Sequence, residues 1–178
     1  MIPPEFDYVA PDTLDEALKA LSEGGEDAKA LAGGHSLLPL MKLRLAAPTL
    51  LVDLRKIPGL RGVQRENGQW RIGAMTRHAD MQGNADLGPV GQATALIADQ
   101  QVRNRGTIGG SLVHGDPASD LPTVFLACEG SLTVVGSGGT REVAALDMFE
   151  DYLTPRSARA RSSPRSGCRP STTGARAT

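Results

Sequence analysis

The chain has 178 residues, 40% of them hydrophobic and 22% charged, which suits one soluble domain or two small lobes sharing a core. No apolar run reaches the roughly 20 residues of a membrane span. The start, Met1-Ile2-Pro3-Pro4-Glu5, has no basic region followed by an apolar stretch, so no secretory signal and a cytoplasmic location are expected.

Residues 6–10 read as a short strand. Thr13 then caps a helix, Glu16 completes a capping box, and Leu14, Ala17, Leu18 and Leu21 give the helix one apolar face. Gly24-Gly25 ends it. A second strand over 28–32 runs into Gly33-Gly34-His35-Ser36, and a helix over 37–45 follows with Pro39 in its first turn. Residues 50–54 form a third, mostly apolar strand. The alternation predicts a small α/β lobe with right-handed crossovers.

From Ile57 the texture changes. Residues 60–64 and 70–74 read as a hairpin around Glu66-Asn67-Gly68, where Asn-Gly supplies the positive φ angles of a tight turn. Thr76 is expected to cap a short helix through Met81, and 88–98 to form another. A glycine-rich loop over 105–111 comes next, then a helix over 121–128. A second hairpin joins 132–135 to 141–144 around residues 136–139. This half is α+β with antiparallel pairing.

Beyond Leu153 there is no Val, Ile, Leu, Met, Phe, Trp or Tyr, and such a segment is expected to be disordered because it buries too little apolar area to offset its ordering entropy. It is also basic. The net charge of −1 divides into +6 from Arg156, Arg159, Arg161, Arg165, Arg169 and Arg176, and −7 from the other 13 basic and 20 acidic residues. A basic tail admits a nucleic-acid reading, which salt-sensitive DNA binding would reveal, but it is the weaker candidate and no nucleic-acid partner is expected.

Two cysteines, Cys128 and Cys168, give no disulfide framework and too few thiolates for a [2Fe–2S] cluster. His35, His78 and His114 have no zinc-like spacing, so no metal site is expected. Ala32-Gly33-Gly34-His35-Ser36 joins a strand to a helix. Its glycines admit left-handed backbone and close ligand approach, and successive N–H groups there suit a pyrophosphate. It departs from Gly-x-Gly-x-x-Gly, so a nicotinamide Rossmann site is not supported. A tight turn without ligand fits the same residues. Thr107-Ile108-Gly109-Gly110-Ser111 repeats the pattern in the other lobe, and two such loops suggest a long ligand in the cleft between them. Asp116 and Asp120 also fit local capping of the helix near Leu121.

The run Ala-Gly-Gly-His-Ser-Leu-Leu-Pro-Leu-Met-Lys-Leu-Arg from Ala32 to Arg44 resembles the FAD-binding medium subunit of aerobic carbon monoxide dehydrogenases, in the xanthine dehydrogenase family of molybdenum hydroxylases. Gln101-Val102-Arg103-Asn104-Arg105-Gly106-Thr107-Ile108-Gly109-Gly110-Ser111 is similar to that family's second flavin signature. Ile72-Gly73-Ala74-Met75-Thr76 and Asp116-Pro117-Ala118-Ser119-Asp120 follow the expected order, and the likeness extends to about Thr154. It implies an α+β fold of the type named after p-cresol methylhydroxylase and vanillyl-alcohol oxidase (PCMH/VAO), with a small N-terminal α/β lobe (1–57) and a larger antiparallel α+β lobe (58–154). It implies that Ala32, Gly33, Gly34, His35 and Ser36 hold the pyrophosphate of FAD, with Leu37 adjoining, and that Ala74 lies near the flavin ring. Asn104, Thr107, Gly110 and Ser111, with Gly109, would bind ribityl or phosphate groups, and Asp120 would accept a hydrogen bond from a cofactor hydroxyl. No residue is expected to be catalytic. The implied partners are a large molybdenum-cofactor subunit and a small subunit with two [2Fe–2S] clusters, and the implied role is electron transfer from those clusters through FAD to an acceptor.

Family members continue with a Pro-Gly-Glu turn and a C-terminal domain, whereas 155–178 has the Arg, Ser, Pro, Ala, Gly and Thr alphabet of a shifted frame in GC-rich DNA. A frame disruption near codon 155 is therefore expected, with that domain absent, FAD bound weakly or not at all and an apolar patch bared. The alternative function is a non-catalytic remnant that keeps part of the flavin-binding fold.

Overall fold

The computed structural model describes residues 2–136, 138–151, 154–155 and 168–176. Strands β1 (Asp7–Val9), β2 (Ala28–Leu31) and β3 (Leu50–Asp53) form a parallel sheet in the order β1-β3-β2. Parallel neighbours need crossovers, and α1 (Leu14–Glu23) and α2 (Leu37–Lys42) supply them. Thr13 and Glu16 close the expected capping box on α1. Strand alternation sends Val52 and Leu51 to opposite faces. Val52 joins Ala17 and Leu21 of α1, while Leu51 joins Met41 of α2. Burying a side chain such as Leu51 contributes about 1.5–3 kcal/mol.

The second sheet is antiparallel. The hairpin β4 (Val63–Glu66) and β5 (Gln69–Gly73) turns at Asn67 (φ 52°) and Gly68 (φ 79°), the two left-handed positions that Asn-Gly predicts. After α3 (His78–Met81), α4 (Pro89–Leu96), α5 (Gln100–Arg103), α6 (Ile108–His114) and α7 (Asp120–Ala127), the chain forms the hairpin β6 (Ser131–Gly136) and β7 (Gly139–Ala144). Two short strands follow, β8 (Phe149–Asp151) and β9 (Thr154–Pro155), and then β10 (Cys168–Arg176). The sheet order is β4-β5-β10-β6-β7. Ile72, Leu132 and Val134 point inward from this sheet onto Met81, Leu112, Leu121 and Phe125.

Several expectations are corrected. The helix from Leu37 stops at Lys42, because Arg44 takes φ 59° and turns the chain. Thr76 caps no helix. It is 1% exposed, and its hydroxyl accepts from Gly62 N–H at 2.9 Å and donates to Gly62 O at 3.0 Å, tying β5 to the preceding chain. Residues 108–111 are the first turn of α6, capped by Thr107, where a loop was expected. Helix α7 is capped at Ser119 without a side-chain bond, and Asp116 Oδ1 accepts from Ala118 N–H at 2.9 Å instead.

The expected disorder of 155–178 fails over Cys168–Arg176, which lies between β5 and β6. The apolar-content reasoning weighed side chains, whereas a central strand gains main-chain hydrogen bonds along both edges. Pro170, which has no N–H, falls where the register shifts, as proline within a sheet requires. The remainder of that expectation lies outside the described residues. Among the described residues no helix is long and apolar enough to cross a membrane.

Candidate functional site

Strand β2 ends at Leu31 and the chain turns through Ala32–Ser36 before α2. A side chain at Gly33 has no room: a Cβ there would lie 2.3 Å from the Arg105 carbonyl oxygen and 2.9 Å from Gly106 Cα. Gly34 takes φ 82°, a conformation that glycine adopts without strain. No described group accepts a hydrogen bond from the N–H of Gly33, Gly34, His35, Ser36 or Leu37. The Ser36 hydroxyl makes no capping bond either. With only six residues, α2 adds little dipole, so the donors themselves make the site.

The second glycine stretch is built differently. Residues 74–78 lie antiparallel to 106–109: His78 N–H donates to Gly106 O (3.0 Å), Ile108 N–H to Thr76 O (3.0 Å) and Gly109 N–H to Ala74 O (2.9 Å). Gly110 N–H goes to the Thr107 hydroxyl at 3.2 Å and Ser111 N–H to Thr107 O at 3.0 Å. Every amide from Ile108 to Ser111 is therefore engaged inside the protein. These glycines serve close packing, since a Cβ on Gly109 would stand 2.7 Å from both Cβ and O of Ala74.

Both stretches line one cavity of about 400 Å³, within the range of small-molecule sites. Ala32, Gly33, Gly34, His35, Ser36, Leu37, Ala74, Thr107, Gly109, Gly110 and Ser111 all face it. Leu31, Leu54, Met75 and Val102 add apolar wall. A row of unpaired amides beside an apolar wall fits a dinucleotide: pyrophosphate oxygens need donors, and rings need apolar contact.

A family model described as the FAD binding domain in molybdopterin dehydrogenase matches residues 4–161. The chain belongs to this family. As an FAD-binding domain it is similar to the carbon monoxide dehydrogenase medium chain of Hydrogenophaga pseudoflava, with 48% identity over 159 residues covering 86% of this chain and 55% of the relative. It is also similar to the 6-hydroxypseudooxynicotine dehydrogenase complex subunit alpha of Paenarthrobacter nicotinovorans, with 44% identity over 157 residues, 86% of this chain and 53% of the relative. The solved carbon monoxide dehydrogenase from Hydrogenophaga pseudoflava lacking the Mo-pyranopterin moiety superposes with a TM-score of 0.91 at 41% identity, over 100% of this chain and 61% of that one. The chain spans about half the length of the curated relatives it matches.

Two residues expected in the flavin site are not brought to the cavity of this FAD-binding domain. Asn104 ends α5, where its Oδ1 accepts from Gln100 Nε2 at 3.0 Å. Asp120 begins α7 and also stays outside the lining. The structure adds His78, which the sequence offered only as an isolated histidine. It is 3% exposed and lines the cavity with His35 and His114. Burial pushes its pKa below the ordinary histidine value, the Thr107 carbonyl opposes this, and the charge of His35 reinforces it. Only the pairing of residues 74–78 with 106–109 brings it there, and no sequence signal marks that pairing.

Proposed function

We propose that this chain is the FAD-binding electron-transfer subunit of a cytoplasmic molybdenum hydroxylase. In that reading a large partner subunit oxidises substrate at a molybdenum cofactor, and a small partner carries [2Fe–2S] clusters that feed electrons to the flavin and on to an acceptor. FAD supplies the redox chemistry when bound. The chain's own residues bind and orient it. The N–H groups of Gly33–Leu37 and the Ser36 hydroxyl hold the pyrophosphate, Ala74 and Met75 bound the space beside the ring, and Thr107, Gly109, Gly110 and Ser111 close the opposite wall. The observation that carries the reading is the run of five backbone donors without acceptors among the described residues, opening on a cavity shared with the second glycine stretch. Gly33, Gly34 and Leu37 are half-buried, where N–H groups ordinarily find partners, and successive open donors of this kind suit an anionic one.

The test is a titration of the purified chain with FAD, followed by mixing with the Cys-rich small subunit and the large molybdenum subunit. Saturable binding, seen by flavin absorbance near 450 nm, together with co-elution of the partners supports the reading. Flavin binding without partner association points to a non-catalytic remnant. No flavin binding rejects the electron-transfer reading.

A further inference from the structure

His78 sits beneath the cavity with its ring position fixed by the antiparallel bonds of its own backbone N–H and its neighbours. Nε2 lies 3.3 Å from Ser111 Oγ. Nδ1 is buried and has no hydrogen-bond partner among the described residues. It faces Gly106, where an added Cβ would come within 3.4 Å of it.

A neutral imidazole carries its single N–H on one nitrogen and leaves the other bare. Buried N–H groups without acceptors are rarer than buried acceptors without donors. The ring has two oxygens near it, Ser111 Oγ at 3.3 Å from Nε2 and the Thr107 carbonyl, and because Nδ1 has no partner the proton belongs on Nε2 while Nδ1 stays bare against Gly106. Burial lowers its pKa and so favours the neutral ring. Ser111 Oγ then receives the hydrogen bond, and its one hydroxyl proton must point elsewhere. The usual recipient for a helical serine is the carbonyl four residues earlier. Here that carbonyl, Thr107 O, takes the Ser111 N–H, and the hydroxyl makes no bond to it. The direction left is the cavity that Ser111 lines.

We propose that His78 is a positioning residue: as the Nε2–H tautomer it donates to Ser111 and fixes that hydroxyl as a hydrogen-bond donor to an acceptor oxygen of the bound flavin nucleotide. The role rests on the FAD reading above, and it explains how the second glycine stretch contributes a donor although its amides are spent.

The experiment is a double-mutant cycle on the full chain, reading FAD affinity by flavin fluorescence. His78→Leu and Ser111→Ala each weaken FAD about tenfold, the size of one hydrogen bond. Their combination weakens it about tenfold and not a hundredfold, because one interaction is being removed twice. His78→Gln, whose amide nitrogen reaches the Nε2 position, restores affinity to within about threefold of the parent. A hundredfold loss in the double variant, or no rescue by glutamine in a folded protein, overturns the proposal. Nitrogen-15 imidazole spectra of the FAD-free parent chain give an independent readout: the Nε2–H pattern supports the assignment and the Nδ1–H pattern overturns it, even if His78→Leu does not fold. Failure of the parent to bind FAD sinks the flavin reading alone and leaves the tautomer result standing.

Discussion

Replacing Gly33 with alanine separates a ligand-holding turn from a merely structural one. The new Cβ would fall 2.3 Å from the Arg105 carbonyl oxygen, with the Arg105 carbonyl carbon and Gly106 Cα each 2.9 Å away. That is about 1 Å inside ordinary contact, and the obstructing atoms are backbone that cannot rotate aside. The turn and the 105–106 segment must therefore part by roughly 1 Å, at a stability cost of about 1–3 kcal/mol for overpacking. A 2.9 Å hydrogen bond stretched by that much is no longer a bond. Losing two amide contacts to a charged pyrophosphate costs about 3 kcal/mol, or roughly a hundredfold in Kd. Flavin fluorescence titration measures this. Gly138→Ala is the control, because a Cβ there meets nothing within 4 Å. A folded Gly33→Ala protein with parental FAD affinity would refute the reasoning.

Other outcomes follow from the same structure. The Arg77 guanidinium beside Asp80 holds its carboxyl well below the usual carboxylate range, with Arg61 assisting and burial opposing. A depressed folded-state value contributes stability above the unfolded value near 4, which is lost as pH falls. Asp80→Asn should therefore cost about 1–2 kcal/mol in urea melts at pH 7, with the deficit shrinking below about pH 4. His78, also depressed, stabilises the fold above its unfolded value near 6.5, so acidification from there should destabilise the parent more than His78→Gln. Tyr8 donates to the nearly inaccessible Asp53 carboxylate at 2.7 Å and accepts from Arg55 at 3.2 Å. Tyr8→Phe should lower stability by about 1–2 kcal/mol, read from the urea midpoint. FAD at 100 times its Kd should raise stability by about 2.7 kcal/mol, visible as a higher Tm.

Local chemistry carried most of the fold. Thr13 with Glu16, and Asn67 with Gly68, each specify a cap or a turn through contacts a few residues apart, and all formed as read. Thr76 misled because its hydroxyl was claimed by Gly62, a tertiary partner fourteen residues away, before it could cap a helix. The glycines of 109 and 110 looked like a second amide cradle because pattern alone cannot tell an open turn from a capped helix start. What decides it is Ala74, whose carbonyl takes the Gly109 N–H, and Thr107, whose hydroxyl takes the Gly110 N–H. His78 was illegible for the same reason. The strand at Cys168–Arg176 was missed because its partners, β5 and β6, are distant in sequence and bind it through main chain.

The central claim is that the amides of Gly33–Leu37, and not those of the second glycine stretch, receive the pyrophosphate. An amide-resolved NMR titration of the chain with FAD tests it directly. The N–H resonances of Gly33, Gly34, His35, Ser36 and Leu37 should move strongly downfield as they gain acceptors, while those of Gly109 and Gly110, already bonded to Ala74 and Thr107, move little. Large shifts at Gly109 and Gly110 with a silent Gly33–Leu37 would contradict the account.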